Sequence, residues 1–134
     1  MTAYEAAIAE VEAHRAEIEA MRPAIEFADE LAARYEGLRP EVGFWRSCQH
    51  ATISLVVNSL AEVQPMLAEI VRSGYHPKGR TDYTDESCPR VTYDYGQGSR
   101  TELCVNVRIS STSDSCRLVQ VGEKTVPVLE IVCI

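Results

Sequence analysis

The sequence predicts an α+β protein: a long coiled-coil-like N-terminal helix, kinked or folded back as a hairpin, then a strand, a helix and a four-stranded antiparallel meander, forming one sheet with helices on one face. Three observations lead there. Residues 2–38 repeat their apolar side chains every 3.5 residues, which a helix can display along its length and a strand cannot. Residues 52–58 form a β-branched run. Residues 101–109 alternate strictly between apolar and polar. The expected organisation is an acidic helical arm at 1–40 and an α+β domain at 41–134.

In the arm, heptad positions a are Tyr4, Val11, Ile18, Ile25 and Ala32, and positions d are Ala7, His14, Met21, Ala28 and Tyr35. Such a seam seeks a helical partner. In one straight piece residues 3–36 would span roughly 50 Å, whereas a compact chain of this size has a radius of gyration of about 14 Å. The helix therefore either breaks near Pro23 and folds back, or overhangs its body and meets a second copy. Pro23 suits the first turn of a new helix. Beyond it Phe27, Leu31 and Leu38 widen the apolar stripe, as docking on a globular core requires. The second half is expected to lie on the domain. The first half is expected to pair into a homodimer through Tyr4, Val11, His14, Ile18 and Met21. Gly37 and Pro40 end the helix.

Residues 41–50 read as a connector whose Phe44 and Trp45 anchor the arm. The strand at 52–58 puts Ile53, Leu55 and Val57 on one face. Ser59 with Glu62 is a capping box. Pro65 sits too deep for a helix starting at Leu60, so a short turn at 59–63 and a main helix at 65–73 are expected, closed by Arg72 and Gly74. Residues 74–90 lack periodicity and are rich in turn formers, which predicts a recognition loop. The meander then runs 91–95, 101–109 with Leu103, Val105, Val107 and Ile109 inward, 116–121 and 125–133, with Pro127 marking an edge.

The chain has 134 residues, 46% of them apolar, enough for one ordinary domain. No export signal and no apolar run of about 18 residues is seen, so a cytoplasmic protein without a membrane span is expected. Five widely spaced cysteines with no C-x-x-C pair read as buried or free thiols. Net charge is −7, and residues 1–41 carry nearly all of it, with ten acids against Arg15, Arg22, Arg34 and Arg39. That balance speaks against nucleic acid as a direct ligand, since phosphate binding needs clustered Lys and Arg. It favours a basic protein partner.

Each chemical constellation has a plainer rival. Cys48 and His50 would point the same way on a strand, as in a thiolate dyad, but no third orienting group accompanies them. His14 interrupts the seam and would titrate near neutrality, yet a hydrogen bond to Glu10 or Glu17 explains it. Asp82, Asp85 and Glu86 lack the spacing of a calcium loop and read as a solvated turn. Tyr75, Tyr83, Tyr93 and Tyr95 are either an interface or core, with core preferred. Glu5, Glu12, Glu19 and Glu26 recur at about 10.5 Å intervals. They either imitate a nucleic-acid backbone or form the wet side of a helix, with Glu12–Arg15, Glu19–Arg22 and Glu30–Arg34 as local ion pairs.

No catalytic, cofactor or metal residue is assigned. The expected function is that of a non-enzymatic protein-binding module. Its partner surface is Glu5, Glu12, Glu19, Glu26, Tyr75, Arg80, Tyr83 and Asp85. In its sharpest form it is an inhibitor or adaptor, of the kind phages and mobile elements encode, covering a basic nucleic-acid-binding surface. The alternative is a ligand-binding domain or small enzyme with a pocket between the sheet and residues 74–90, around His76, Arg80, Tyr83 and Cys88.

Overall fold

The structure, a computed structural model, describes residues 1–45, 48–84, 89–111, 113, 116 and 132, and of residues 44, 45, 48 and 49 the backbone alone. Its elements are α1 (Ala3–Ala20), α2 (Arg22–Arg34), β1 (Arg39–Trp45), β2 (Cys48–Val57), a 3₁₀ turn (Leu60–Val63), α3 (Gln64–Arg72), β3 (His76–Tyr83), β4 (Arg90–Gly96) and β5 (Leu103–Ile109).

Thr2 starts α1, its hydroxyl accepting the Glu5 N–H at 3.1 Å. The helix is interrupted at Met21 (φ −92°, ψ 2°), with Pro23 in the first turn of α2. The interruption is slight. The Met21 N–H still reaches the Glu17 carbonyl at 3.1 Å, and the Ile25 N–H reaches that of Met21 at 3.0 Å. Of the two courses the sequence left open, a break with the chain folded back or an overhanging helix, the structure shows a slight interruption beside Pro23 in a nearly continuous helix, whose second half docks on the sheet.

Docking is through Met21, Ala24, Ala28 and Leu31, all buried. The two alanines let the helix approach closely, and Leu31 fills the space beyond them. Three contacts fix its position. Phe27 stacks on Tyr75 with centroids 5.0 Å apart. Arg34 and Tyr35 both reach Glu69 of α3, the guanidinium Nη2 at 2.5 Å and the phenol donating at 2.6 Å. Gly37 then turns the chain into β1 with a left-handed φ of +79°.

The capping box forms as the sequence implies. The Glu62 carboxylate accepts from the Ser59 N–H at 2.9 Å and the Asn58 N–H at 2.7 Å, while the Ser59 hydroxyl accepts from Ala61. Pro65 falls in the first turn of α3, and Gly74 (φ +99°) leaves it.

Among the described residues the sheet has five strands, in the order β1-β2-β5-β4-β3. It corrects the expected four-stranded antiparallel meander: β5 inserts beside β2 and runs parallel to it, pairing Ala51 with Leu103 through Val57 with Ile109. The other three pairings are antiparallel. Residues 39–45, of which 41–45 were expected as part of a connector and 39–40 as the end of the arm, are an edge strand. Residues 76–83, expected as a loop, are the opposite edge, with an irregularity between Pro77 and Gly79. The two last expected strands, 116–121 and 125–133, lie outside the described residues apart from Cys116 and Val132.

Ile53, Leu103, Val105 and Val107 from the sheet meet Leu31, Val63 and Ile70, all almost fully buried. Each such side chain contributes about 1.5–3 kcal/mol by leaving water. Tyr95 and Val91 also face inward and Tyr93 packs against the core, so these aromatics are core rather than interface. All the buried helix side chains lie on this one side of the sheet.

Candidate functional site

Two surfaces stand out once the core is assigned: the arm, and the face of the sheet away from the helices. The arm comes first because it lies largely open to solvent. None of the 18 residues of α1 is buried. Tyr4 is 75% exposed, Val11 62% and Ile8 46%, with Ile18 half-buried. Together they make an apolar stripe along one exposed helix face.

At 100° per residue, this stripe of Tyr4, Ile8, Val11 and Ile18 lies roughly 130° around the helix from the face that Met21, Ala24, Ala28 and Leu31 turn to the sheet. The single a/d seam of the sequence is thus divided. Met21 belongs to the core at 4% exposure and is withdrawn from the expected pairing set, which keeps Tyr4, Val11, His14 and Ile18. The side of α1 opposite the bulky stripe carries Ala6, Ala9, Ala13, Ala16 and Ala20. The helix therefore has two apolar faces with acids between them. Among the described residues no coiled coil is seen within the single chain.

Glu5, Glu12, Glu19 and Glu26 all lie on the exposed side of the helices. Arg22 sits between the last two, its Nε 2.8 Å from Glu26 and its Nη1 3.7 Å from Glu19. These charges raise the Arg22 pKa, the Glu26 hydrogen bond contributing most. The lower half of the column is partly neutralised, and Glu5 and Glu12 carry its open negative charge. Arg34 is drawn to Glu69 instead of Glu30.

Of the expected partner residues around 74–90, Arg80 and Tyr83 line one cavity, and Tyr75 does not join them. Tyr75 is 5% exposed and stacked on Phe27, so it is withdrawn from partner binding. Asp85 lies outside the described residues. Arg80 is bonded to Asp82 at 2.8 Å and lies over Tyr93, while Arg90 lies over Tyr83 at 4.4 Å on the other face of the same edge. A cavity of about 140 Å³ is lined by Arg80, Tyr83, Pro89, Arg90, Ile109 and Cys116 among others. It is the nearest counterpart of the expected pocket. His76 is not among its lining residues, and Cys88 lies outside the described residues.

The open face of the sheet carries a larger, shallower cleft of about 620 Å³. Its floor comes from alternate residues of four strands: His50 and Thr52 of β2, Cys104 and Asn106 of β5, Thr92 and Asp94 of β4, and Thr81 and Tyr83 of β3. Gly43 of β1 makes room for it. A Cβ there would lie 2.7 Å from His50 Nε2 and 2.8 Å from Thr52 Oγ1. His50 thus shares this face with Asp94, whose charge acts on it, and with Cys104, both distant in sequence. The Cys48 side chain of the expected dyad lies outside the described residues.

The chemistry of this group follows from its burial. Burial pushes the Cys104 thiol up to about 12, and the neighbouring Asp94 carboxylate, which accepts its hydrogen bond, adds to the effect. At neutral pH only about one thiol in 10⁵ would be a thiolate, so Cys104 is not an activated nucleophile. Burial also lowers the His50 pKa, with Asp94 acting weakly against it. The cleft presents a neutral imidazole, an un-ionised thiol, hydroxyls and an amide, with one carboxylate, Asp94, and one guanidinium, Arg90, of opposite charge. Such a surface offers hydrogen bonds. Among the described residues no group of three His, Cys, Asp or Glu side chains is placed to hold a metal ion.

Sequence reasoning missed the cleft because its members come from four strands whose order was not foreseen. The alternation of β5 did show that Cys104 and Asn106 share a face. No helix among the described residues is long and apolar enough to cross a membrane. No protein-family model, curated protein or solved structure matches the chain.

Proposed function

We propose that the protein is a non-enzymatic binding module of the cytoplasm that works through its first helix. The observation that carries this reading is that α1 has no buried residue while presenting Tyr4, Ile8 and Val11 to solvent. A helix that gives nothing to its own core and carries an apolar stripe has its use outside the chain. The stripe joins copies of the protein, and the acidic column of Glu5, Glu12, Glu19 and Glu26 is offered to a basic protein surface, as a small inhibitor or adaptor of the phage type would do. Charge placement supports the second part, since the arm holds almost the whole negative balance.

The test is capture of partners from a lysate by the full chain and by a variant with Glu5, Glu12, Glu19 and Glu26 all changed to Gln. Loss of a basic, nucleic-acid-binding partner with the variant is the expected result. An unchanged set of captured proteins contradicts the acidic reading.

A second reading, a small-ligand domain, is favoured by the cleft over His50, Thr52 and Cys104. Its ligand would be a neutral polar molecule, recognised by hydrogen bonds rather than attacked. Chemical-shift changes confined to Thr52, Thr92 and Asn106 on titrating a small-molecule library would establish it.

A further inference from the structure

We infer that α1 pairs with α1 of a second copy in parallel and in register, and that the charges beside its apolar stripe select that direction. This rests on the reading of the arm as an association element and adds which molecule covers it and how. The occupant is a second copy because the helix is complementary to itself.

The stripe of Tyr4, Ile8, Val11 and Ile18 points away from the body, roughly 130° around from the docked face. A second helix can therefore lie along it without displacing the sheet. Two lines of residues flank the a/d seam of Tyr4, Ala7, Val11, His14 and Ile18, Glu10 and Glu17 along one side and Ile8, Arg15 and Arg22 along the other. Parallel helices bring one flank against the opposite flank of the neighbour, five residues further on. Glu10 then faces Arg15 of the second copy, twice by symmetry, and Ala3 faces Ile8. Glu17 faces Arg22, although Arg22 already bonds Glu26 at 2.8 Å, so the Glu10–Arg15 contact decides.

Antiparallel helices bring each flank against itself. Glu10 and Glu17 would then meet the same acids of the second copy, and Arg15 would meet arginine or Ile8. Like charges facing each other oppose association. The same sequence thus attracts itself in one direction and repels itself in the other. With only 18 residues in the helix, the contact falls at the low end of interface size, and the pair forms in a concentration-dependent way.

Sedimentation equilibrium of the full chain under reducing conditions, from about 1 to about 500 µM, reads this directly. The wild type is expected to dimerise across that range, and Val11→Asp to remain monomeric with its circular dichroism unchanged. Glu10→Lys and Arg15→Glu are each expected to weaken dimerisation on the order of fivefold. Glu10→Lys combined with Arg15→Glu restores it to within about twofold, because the pair is re-formed with its signs exchanged. A wild type that stays monomeric, a Val11→Asp variant that dimerises normally, or single charge variants that tighten the dimer would each overturn the inference. A monomer whose partner capture still depends on the glutamates would sink this pairing alone and leave the proposed function standing. A dimer with these responses whose capture ignores the glutamates would uphold the pairing and sink the acidic docking.

Discussion

α1 and α2 carry one heptad repeat and share a nearly unbroken run of backbone hydrogen bonds, yet α2 is docked on the sheet and no residue of α1 is fully buried. The difference lies in which positions are small and which are large. In α2, Ala24 and Ala28 allow close approach, and Leu31 with Met21 fills what remains. In α1 the alanines stand opposite the bulky residues, so neither face combines close approach with large buried area. Periodicity alone says that a helix has an apolar seam. Residue size along the seam says whether a sheet or another helix can use it.

The contrast is broken most strongly in α2. Leu31→Ala removes a fully buried side chain against β2 and is expected to cost about 3 kcal/mol, read from the denaturant midpoint at unchanged m-value. The next effect compares like with like. Ala28→Leu overfills the helix–sheet contact and is expected to cost about 1–3 kcal/mol, whereas Ala13→Leu on the arm changes stability by less than about 0.5 kcal/mol. If both are neutral, α2 is not docked as described.

Glu69→Gln sharpens the comparison from the other side, because it loosens the tie from α2 to α3 that the arm lacks. It keeps one hydrogen bond from Tyr35 but loses the charge opposite Arg34, at an expected cost of about 1 kcal/mol. The Tyr35 pKa, raised chiefly by its hydrogen bond to Glu69, should fall back toward its ordinary value in a spectrophotometric titration.

The smallest effect is pH dependence in the sheet. Burial lowers the His50 pKa, so the unfolded chain takes up its proton first as pH falls below the ordinary value of 6.5. Stability is then constant above that value and declines as pH drops through the window below it. His50→Gln should flatten the decline. The thiol of Cys104 acts at the other end: held protonated up to about 12 against an ordinary 9.0, it makes stability fall as pH rises between those values. Variants at Val11 or Tyr4 should leave both limbs untouched.

How much of this was legible in the sequence follows from where each strand lies. β5, central and buried, shows its alternation at Leu103, Val105 and Val107 and is read without difficulty. So are β4 and the capped turn at Ser59, whose hydrogen bonds are local. β3 is exposed along its length and contains Pro77 and Gly79, so its sequence carries no apolar pattern, and only its backbone pairing with β4 makes it a strand. β1, with Pro40 and Gly43, was obscured in the same way. The insertion of β5 beside β2 depends on a crossover through α3, β3 and β4, which no local pattern encodes. The cleft at His50, Asp94 and Cys104 exists only as a product of that order and was invisible for the same reason. On the arm, Pro23 was legible as the place where the helix changes, and its second half as the docked one; whether the helix broke or ran on was not. Nor was the withdrawal of Met21 into the core, because a d position looks the same whichever surface covers it.

The most direct test of the account is amide hydrogen exchange resolved along residues 3–34 at sub-micromolar and at high micromolar protein. The account expects α2 to be protected at both concentrations and α1 to exchange almost freely when dilute, gaining protection only as the concentration rises. Protection of α1 equal to that of α2 in the dilute sample would contradict it, since the arm would then belong to the fold of its own chain.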